Sequence, residues 1–455
     1  LEEGTQYYST NLKAPHVPFR KALLKGLAPD AGLYMPLRLP RIPSDDLEAL
    51  TELTYPELAT EIIGRIIGNE ISSVDLLNIC KEIYSFGIPL ELVYDRNYLM
   101  RLDQGPTASF KDFAALLMGR LMQHFLSQEE KHITILTATS GDTGSAVANA
   151  FYGLKNIRVI ILFPSGEVTD MQRRQMTTFH DNIQVVEING KFDDCQRLVK
   201  AAFMDPLLSP VNLSSANSIN IGRLLPQSVY YFWAWAQLSG KTTDDFIFSV
   251  PCGNFGNLAG GLIARDMGLP VKHFIISTND NDEVPLFLKT GIYKPVRPSR
   301  NSISSAMNVG HPSNLARIIS MYGGNMDENG IINKSPDLAR MRQDFYASVI
   351  SDRKTRETIY SIYKEHGKIL EPHGGVAWAG MQKYCREHPS DENNNVFCVS
   401  LETAHPAKFL DEIISILNIE PELPESLRKI AGRTEEYIYL ENNYDALKKF
   451  IIQNY

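Results

Sequence analysis

The chain has 455 residues, with 45 lysines and arginines against 53 acidic residues and a formal charge of −8 at pH 7. Its length suits two or three domains, and 44% hydrophobic with 22% charged residues is the balance of a soluble globular protein. An acidic chain without a basic, aromatic-interleaved tract excludes nucleic acid as an expected partner, and no apolar run is long enough to span a membrane. Cys80, Cys195, Cys252, Cys385 and Cys398 share no C-x-x-C spacing. Such an odd, scattered set points to a reducing, cytoplasmic setting and away from a zinc site or disulfide framework. No secretory signal is read at the start, and residues 1–6 are left out of the fold reading.

Residues 7–95 read as mostly helical, with Pro/Gly breaks such as "LAPDAGLYMP" and an apolar-periodic run, "LEALTELTYPELATEIIGRIIG". From about residue 100, strand-length apolar runs alternate with helical patterns. "ITILTAT" (133–139), "IRVIILFP" (157–164) and "IQVVEI" (183–188) are nearly continuous in Ile and Val, as buried parallel strands are. Helical patterns fall around 143–153, 169–179 and 192–204. The β-α-β order predicts a parallel α/β sheet. It recurs at "DFIFSVP" (245–251), "KHFIIST" (272–278) and "NVFCVSLET" (395–403). Two α/β units are therefore expected, with a ligand between them at the carboxyl ends of the strands. The polar stretch from about 290 to 345 reads as irregular, a length of loop that is functional or mobile in many compact domains.

Several stretches carry candidate chemistry. In "GPTASFKDFAALLMGR" (105–120) Lys111 sits just before an amphipathic helix, where a solvated surface charge is the ordinary reading and a reactive amine the alternative. "TATSGDTGSAVANA" (137–150) follows a strand and opens a helix. Free N–H groups there, with Thr139, Ser140 and Thr143 hydroxyls, suit a carboxylate; a plain helix cap at Ser140 or Asp142 leaves the same trace. "VPCGNFGNLAGG" (250–261) repeats the logic for a phosphate, or is a glycine-rich corner. The Gly-Lys-Thr of "LSGKTTDD" (238–245) lacks the upstream glycine of a nucleotide loop and reads as a turn.

"NLSSANSINIGRLLPQSVYYFWAWAQL" (212–238) reads as an apolar helix in which Asn217, Asn220 and Arg223 share one face and Pro226 forces a kink or restart. Arg223 suits a phosphate or carboxylate, gripped bidentately. Thr403 and His405 in "LETAHPAKF", and Glu371 and His373 in "EPHGGVAW", follow strand and loop signals; a lone histidine is more often structural than catalytic. No His/Cys/Asp/Glu set has metal spacing, so no metal is expected, and no G-x-S-x-G elbow occurs.

Together, "YYSTN", "VPFRKALLKGLAPDAGLYMP", "GPTASFKDFA", "ATSGDTGSAVA", "NSINIGR", "SVPCGNFGN", "AMNVGHPSN", "EPHGGVA" and "ETAHPAKF" resemble, in order and spacing, the threonine synthases of the bacterial and fungal type. The resemblance runs from Tyr7 to the C-terminus. It implies pyridoxal phosphate (PLP) fold type II, with an extra, mostly helical N-terminal domain over 7–95, a mobile α/β domain over 96–230 and a large PLP-binding α/β domain over 231–455.

The same resemblance implies roles. Lys111 would form the Schiff base with the coenzyme. Gly253, Asn254, Phe255, Gly256 and Asn257 would cup the coenzyme phosphate, Thr403 would partner the pyridine nitrogen, and Asp142 would lie beside the coenzyme. Thr139, Ser140 and Thr143 would take the substrate carboxylate, and Asn217, Ser218 and Arg223 the substrate phosphate. Glu371 would lie near the coenzyme ring. Gln104 stands where some members have His, Asn308 where Asp is commoner, and Ala31 where Gly is usual. The implied reaction turns O-phospho-L-homoserine and water into L-threonine and phosphate by γ-elimination and β-hydration, in a monomer or weak homodimer. The residues alone also allow a PLP-dependent phospholyase or dehydratase releasing 2-oxobutyrate, or a non-catalytic relative.

Overall fold

The computed structural model describes residues 5–129, 131–238, 245–389 and 396–454. Two mainly parallel sheets organise it. The larger has six strands in the order Phe345–Val349, Val271–Thr278, Phe246–Pro251, Phe397–Glu402, Asn97–Arg101 and Leu90–Tyr94. All neighbours are parallel except the last pair. The smaller sheet is parallel throughout, in the order Ile438–Glu441, Ile183–Asn189, Ile157–Pro164, Ile133–Ala138 and Leu213–Ser214.

Burial explains the continuous apolar runs. Ile133–Ala138, Phe246–Pro251 and Phe397–Glu402 are buried at every position, because helices cover both faces. Alternate residues of each strand still serve different cores. Phe246, Phe248 and Val250 pack with the helix Gly256–Asp266, whereas Ile247 packs with Asp352–His366 and Pro372–Glu387. In the smaller sheet Ile135 and Ile161 face the helix Asp142–Phe151. Leu136, Leu162 and Val186 face Phe192–Met204 and the C-terminal helix Tyr444–Asn454.

Sheet membership cuts across the contiguous division expected at residues 96 and 231. Leu90–Tyr94 and Asn97–Arg101 join the larger sheet, through the pairing of Asn97–Arg101 with Phe397–Glu402. Ile438–Glu441 returns to the smaller sheet beside Ile183–Asn189, and Tyr444–Asn454 seals that sheet's apolar face. The N-terminal region also carries a small antiparallel sheet, of Gln6–Ser9, Val17–Pro18 and Tyr34–Pro36, beside its helices.

The helix Tyr55–Ile67 shows how that region is fastened. Glu57 reaches back 3.0 Å to the Thr54 N–H, closing the first turn, and Gly68 stops the last. Its buried stripe is Tyr55, Leu58, Ala59, Ile62, Ile63, Ile66 and Ile67. Each large aliphatic side chain in it contributes about 1.5–3 kcal/mol of transfer free energy. Tyr55 packs edge-on to Trp233, and the neighbouring Tyr84 donates to the Phe113 carbonyl at 2.7 Å.

The 212–238 stretch is not one helix. Leu213–Ser214 is a strand, residues 215–220 are non-helical, and Ile221–Leu224, a 3-10 turn at Leu225–Ser228 and Val229–Leu238 follow. Pro226 restarts the helix as expected, but Asn217 lies off it and Asn220 is its cap, accepting from the Gly222 N–H at 2.9 Å. The repeat of three was a coincidence of loop and cap positions. The 290–345 region contains short helices at Leu315–Met321 and Leu338–Asp344 among its turns. The Gly-Lys-Thr of 238–245 lies outside the described residues.

Ala31 has φ of 63°, in the left-handed region where a Cβ is strained and glycine is favoured. Ala31→Gly is expected to raise stability by about 0.5–1 kcal/mol, read as a higher thermal denaturation midpoint.

Candidate active site

A cavity opens at the carboxyl ends of both sheets, lined by Phe110, Lys111, Thr139, Asn217, Arg223, Gly253, Thr403 and their neighbours. Segments nearly 300 residues apart are stitched together at its floor. The Phe110 N–H donates to the Thr403 carbonyl at 2.9 Å, and the His405 N–H to the Ala108 carbonyl at 3.0 Å, around an antiparallel bridge between Ser109 and Ala404. Asp112, buried at the start of the helix Lys111–Glu129, accepts the Thr107 N–H at 2.9 Å and its hydroxyl at 2.6 Å. Burial pushes the Asp112 carboxyl up to about 6 despite those bonds. It is therefore a brace for the loop ahead of Lys111, beyond its place in a first helical turn.

Lys111 is inside, not on the surface. Its Nζ lies 3.6 Å from Asp142 Oδ2 and 5.6 Å from the centre of the Phe110 ring. Burial holds the amine below the ordinary lysine range; Asp142 pulls the other way, and Lys408 and Arg223 add to the lowering. Asp142 Oδ1 is already taken, by Lys408 Nζ at 2.7 Å and Gln172 Nε2 at 3.0 Å. Burial alone would raise the Asp142 carboxyl, but Lys408 and then Lys111 hold it well below the carboxylate range.

The glycine-rich turn after Phe246–Pro251 leads directly into a helix. Phe255 takes a left-handed φ of 61° and turns the chain into the helix Gly256–Asp266. The first N–H groups of such a helix have no intrahelical acceptor. Gly253 passes so close to Ala306 that a Cβ would meet the Ala306 carbonyl oxygen at 2.6 Å. Asn257 turns inward instead, donating to the Pro251 carbonyl at 2.9 Å.

In the hydroxyl loop, Thr139 Oγ1 accepts the Gly141 and Gly144 N–H groups at 2.9 and 2.8 Å, which leaves its O–H as a donor. Ser140 and Thr143 line the cavity beside it. Asn217 is tied to the end of strand Ile133–Ala138, accepting from Thr137 and donating to the Ala138 carbonyl at 3.2 Å. Arg223 is buried; Nη1 bonds the Ala216 carbonyl at 2.7 Å, while Nε is a buried donor with no partner among the described residues. Burial pushes that guanidinium down to about 10.

Thr403 donates to Glu371 Oε1 at 3.3 Å. Glu371 caps the helix Pro372–Glu387 and takes the His373 ring through Nδ1 at 2.5 Å. His373 Nε2 accepts the Ala306 N–H at 3.0 Å, so its proton sits on Nδ1. Glu402 Oε1 accepts the Glu371 N–H at 2.7 Å, and burial and the Glu371 charge push Glu402 well above the carboxylate range. Glu371 thus acts on Thr403 from behind. His405 caps the turn Pro406–Phe409, Gln104 bonds Asp103, and Asn308 bonds Asn279; these three serve local structure.

The cavity includes every residue singled out for coenzyme or substrate except Glu371, which lies buried behind Thr403. Sequence reasoning missed Lys408, which touches Asp142, and the Ala306–Met307 wall. It also missed Arg317, fully buried, whose Nη1 and Nη2 bond the Ser218 and Ile219 carbonyls at 2.9 and 2.6 Å and whose Nε bonds the Tyr34 carbonyl at 3.2 Å. Lys408 and Arg317 are single cations in unremarkable local sequence, and only their partners mark them.

Comparison with known proteins agrees with this geometry. A family model described as pyridoxal-phosphate dependent enzyme matches residues 90–400, flanked by threonine synthase N-terminal and C-terminal models at 6–84 and 379–451. Threonine synthase of Buchnera aphidicola subsp. Acyrthosiphon pisum is 41% identical over 414 residues, 90% of this chain and 91% of that protein. The chain belongs to the threonine synthase family. The Escherichia coli K12 threonine synthase is 37% identical, over 96% of this chain and 97% of that one. The solved, PLP-bound threonine synthase from Brucella melitensis superposes with a TM-score of 0.90 at 35% identity, covering 99% of both chains. The yeast threonine synthase does so at 0.89 and 31%, covering 99% of this chain and 98% of that one.

This membership makes the protein a pyridoxal-phosphate dependent enzyme of fold type II. The residues present fit the coenzyme: a dehydrated amine, a helix N-terminus reached through a close backbone approach at Gly253, and a hydroxyl at Thr403 within one cavity. Gly253→Ala is expected to cost about 1–3 kcal/mol through its contact with Ala306, and to weaken coenzyme retention on gel filtration.

Proposed function

We propose that this threonine synthase family member converts O-phospho-L-homoserine and water to L-threonine and phosphate. The observation that carries the reading is that one cavity joins a buried Lys111 to two groups suited to anions, the Gly253–Asn257 turn and the Arg223 guanidinium. One phosphate cup would serve a coenzyme; a phosphorylated substrate needs another.

Pyridoxal phosphate, when bound, supplies an electron sink for the negative charge left at the substrate α-carbon. Gly253, Asn254, Phe255, Gly256 and Asn257 would hold its phosphate at the head of the helix Gly256–Asp266, and Asp142 and Thr403 would flank its ring. Thr139, Ser140 and Thr143 would take the substrate carboxylate, at the head of the helix Asp142–Phe151. Lys111 would carry the coenzyme and then move the α-proton, since burial lowers the amine below the ordinary lysine range and so favours its free-base form. Asn217, Ser218 and Arg223 would hold the substrate phosphate. The buried, unpartnered Arg223 Nε suits an anion that arrives with the substrate and leaves as phosphate. Water then adds at Cβ. The same reading keeps the division into an N-terminal domain, a mobile middle domain and a large domain, with Asn97–Arg101 and the C-terminal segment exchanged between the latter two.

The site is built within one chain, which is compatible with a monomer or weak homodimer. The five buried cysteine thiols suit a reducing cytoplasm. No helix among the described residues is long and apolar enough to cross a membrane.

Incubation with O-phospho-L-homoserine tests the function, with equal release of threonine and phosphate expected. Phosphate with 2-oxobutyrate in place of threonine would overturn it. Lys111→Ala is expected to abolish the visible coenzyme absorbance of the purified protein while leaving its circular dichroism unchanged. Arg223→Ala is expected to raise KM by about 100-fold or more, the loss of a charged hydrogen-bonded pair, with little change in coenzyme retention measured by absorbance after dialysis.

A further inference from the structure

Lys408 lies outside every role given above, yet it is among the most deeply buried charges of the molecule, with its side chain fully buried. It follows the strand Phe397–Glu402 in the short turn Pro406–Phe409, and its Nζ reaches Asp142 Oδ1 at 2.7 Å and the Thr107 carbonyl at 3.0 Å. Lys111 Nζ stands at 3.6 Å from the other oxygen of the same carboxylate. Two amines therefore compete for one buried anion, and the geometry gives the shorter contact to Lys408.

We propose that Lys408 is a positioning residue: by holding Asp142 and the Thr107 carbonyl, it keeps the carboxylate from closing on Lys111 and leaves Lys111 free to act as the base. The inference rests on the reading that Lys111 carries the coenzyme and moves the α-proton. Its physical basis is the low dielectric of the cavity, where a carboxylate moves a neighbouring amine strongly. Asp142, at the start of its helix, favours the ammonium form of Lys111. Lys408, from the turn after the large-sheet strand, and Arg223, from Ile221–Leu224, both oppose that form. His373 bears on Asp142 from the Pro372–Glu387 helix, and Asp112, beside Lys111, turns towards Thr107 and bears on Arg223 and Lys408. Removing Lys408 alone deletes an opposing positive charge and releases Asp142 to Lys111. Both effects make Lys111 harder to deprotonate. Proton transfer itself is unchanged in kind: the Lys111 amine takes the α-proton and becomes the ammonium.

A role limited to structure, tying Asp142 to the 405–408 turn, would leave the protonation of Lys111 where it was. The discriminating measurement is made on the coenzyme-loaded protein and its Lys408→Met, Lys408→Arg and Lys408→Met/Asp142→Asn variants. Two readouts are followed: coenzyme absorbance across pH, and the acid limb of the kcat–pH profile, which reports the free base in the substrate complex. Lys408→Met is expected to move the acid limb up by about one unit or more, with the absorbance midpoint moving the same way or lying above the scanned range. The double variant, which removes one charge of each sign, is expected to bring the acid limb back most of the way, and Lys408→Arg to stay near the parent protein. An acid limb and midpoint that do not move in Lys408→Met, or that move down, would overturn the proposal. If Lys408→Met does not fold, the double variant decides, since an acid limb displaced upward by about a unit despite restored neutrality would equally overturn it. Coenzyme absorbance that survives Lys111→Ala would instead remove the underlying role of Lys111, and so separates the two failures.

Discussion

The short backbone pairing between Ala108–Phe110 and Thr403–His405 is the constraint on which the site depends. Neither segment belongs to a long strand there. The two N–H to carbonyl bonds and one bridge nevertheless bring Lys111, Thr403 and Lys408 to a common point. They are backed by the Asp112–Thr107 brace on one side and by the large sheet on the other. Ala108 takes a left-handed φ of 53° to make the turn. A strained residue of this kind persists only where its surroundings hold it, and here the surroundings are the two halves of the site.

Charge in and behind the cavity is handled by close pairing of buried groups. Asp142 meets Lys408 and Lys111, and Arg223 and Arg317 bond mainly to carbonyls. Cations satisfied by carbonyl dipoles keep a net positive field without a carboxylate to cancel it. That is a favourable setting for two phosphates, and it reconciles an anion-binding site with a chain whose formal charge is −8. Behind Thr403, the Glu371–His373 pair and Glu402 form a buried polar layer that sets which way the Thr403 hydroxyl points.

Much of the architecture was legible in the residues because parallel strands buried on both faces must be apolar at every position. Ile133–Ala138, Ile157–Pro164 and Phe246–Pro251 therefore stood out, as did the helices between them. Lys111, Arg223 and the Gly253–Asn257 turn were recognisable because motif order carries them. The 212–238 stretch was misread because a spacing of three is equally a property of a loop that ends in a cap, and Asn220 spends its side chain on Gly222, Leu23 and Ser215. The contiguous domain boundaries missed the return of Ile438–Glu441 to the smaller sheet, since strand pairing over such a separation leaves no local trace.

What the sequence determined by itself is the set of elements and the chemical inventory: which runs must be buried, where turns admit a left-handed residue, and which amine, hydroxyls and glycines are available. Those depend on side-chain size, polarity and local backbone preference, all of which act over a few residues. Only the tertiary structure decided which charges share one carboxylate, that Asp142 is held by Lys408 at 2.7 Å and approached by Lys111 at 3.6 Å, and that Arg317 anchors the Ser218 loop. Electrostatic interactions in a desolvated cavity depend on separation in space and on the exclusion of water, and neither quantity exists until the chain has folded.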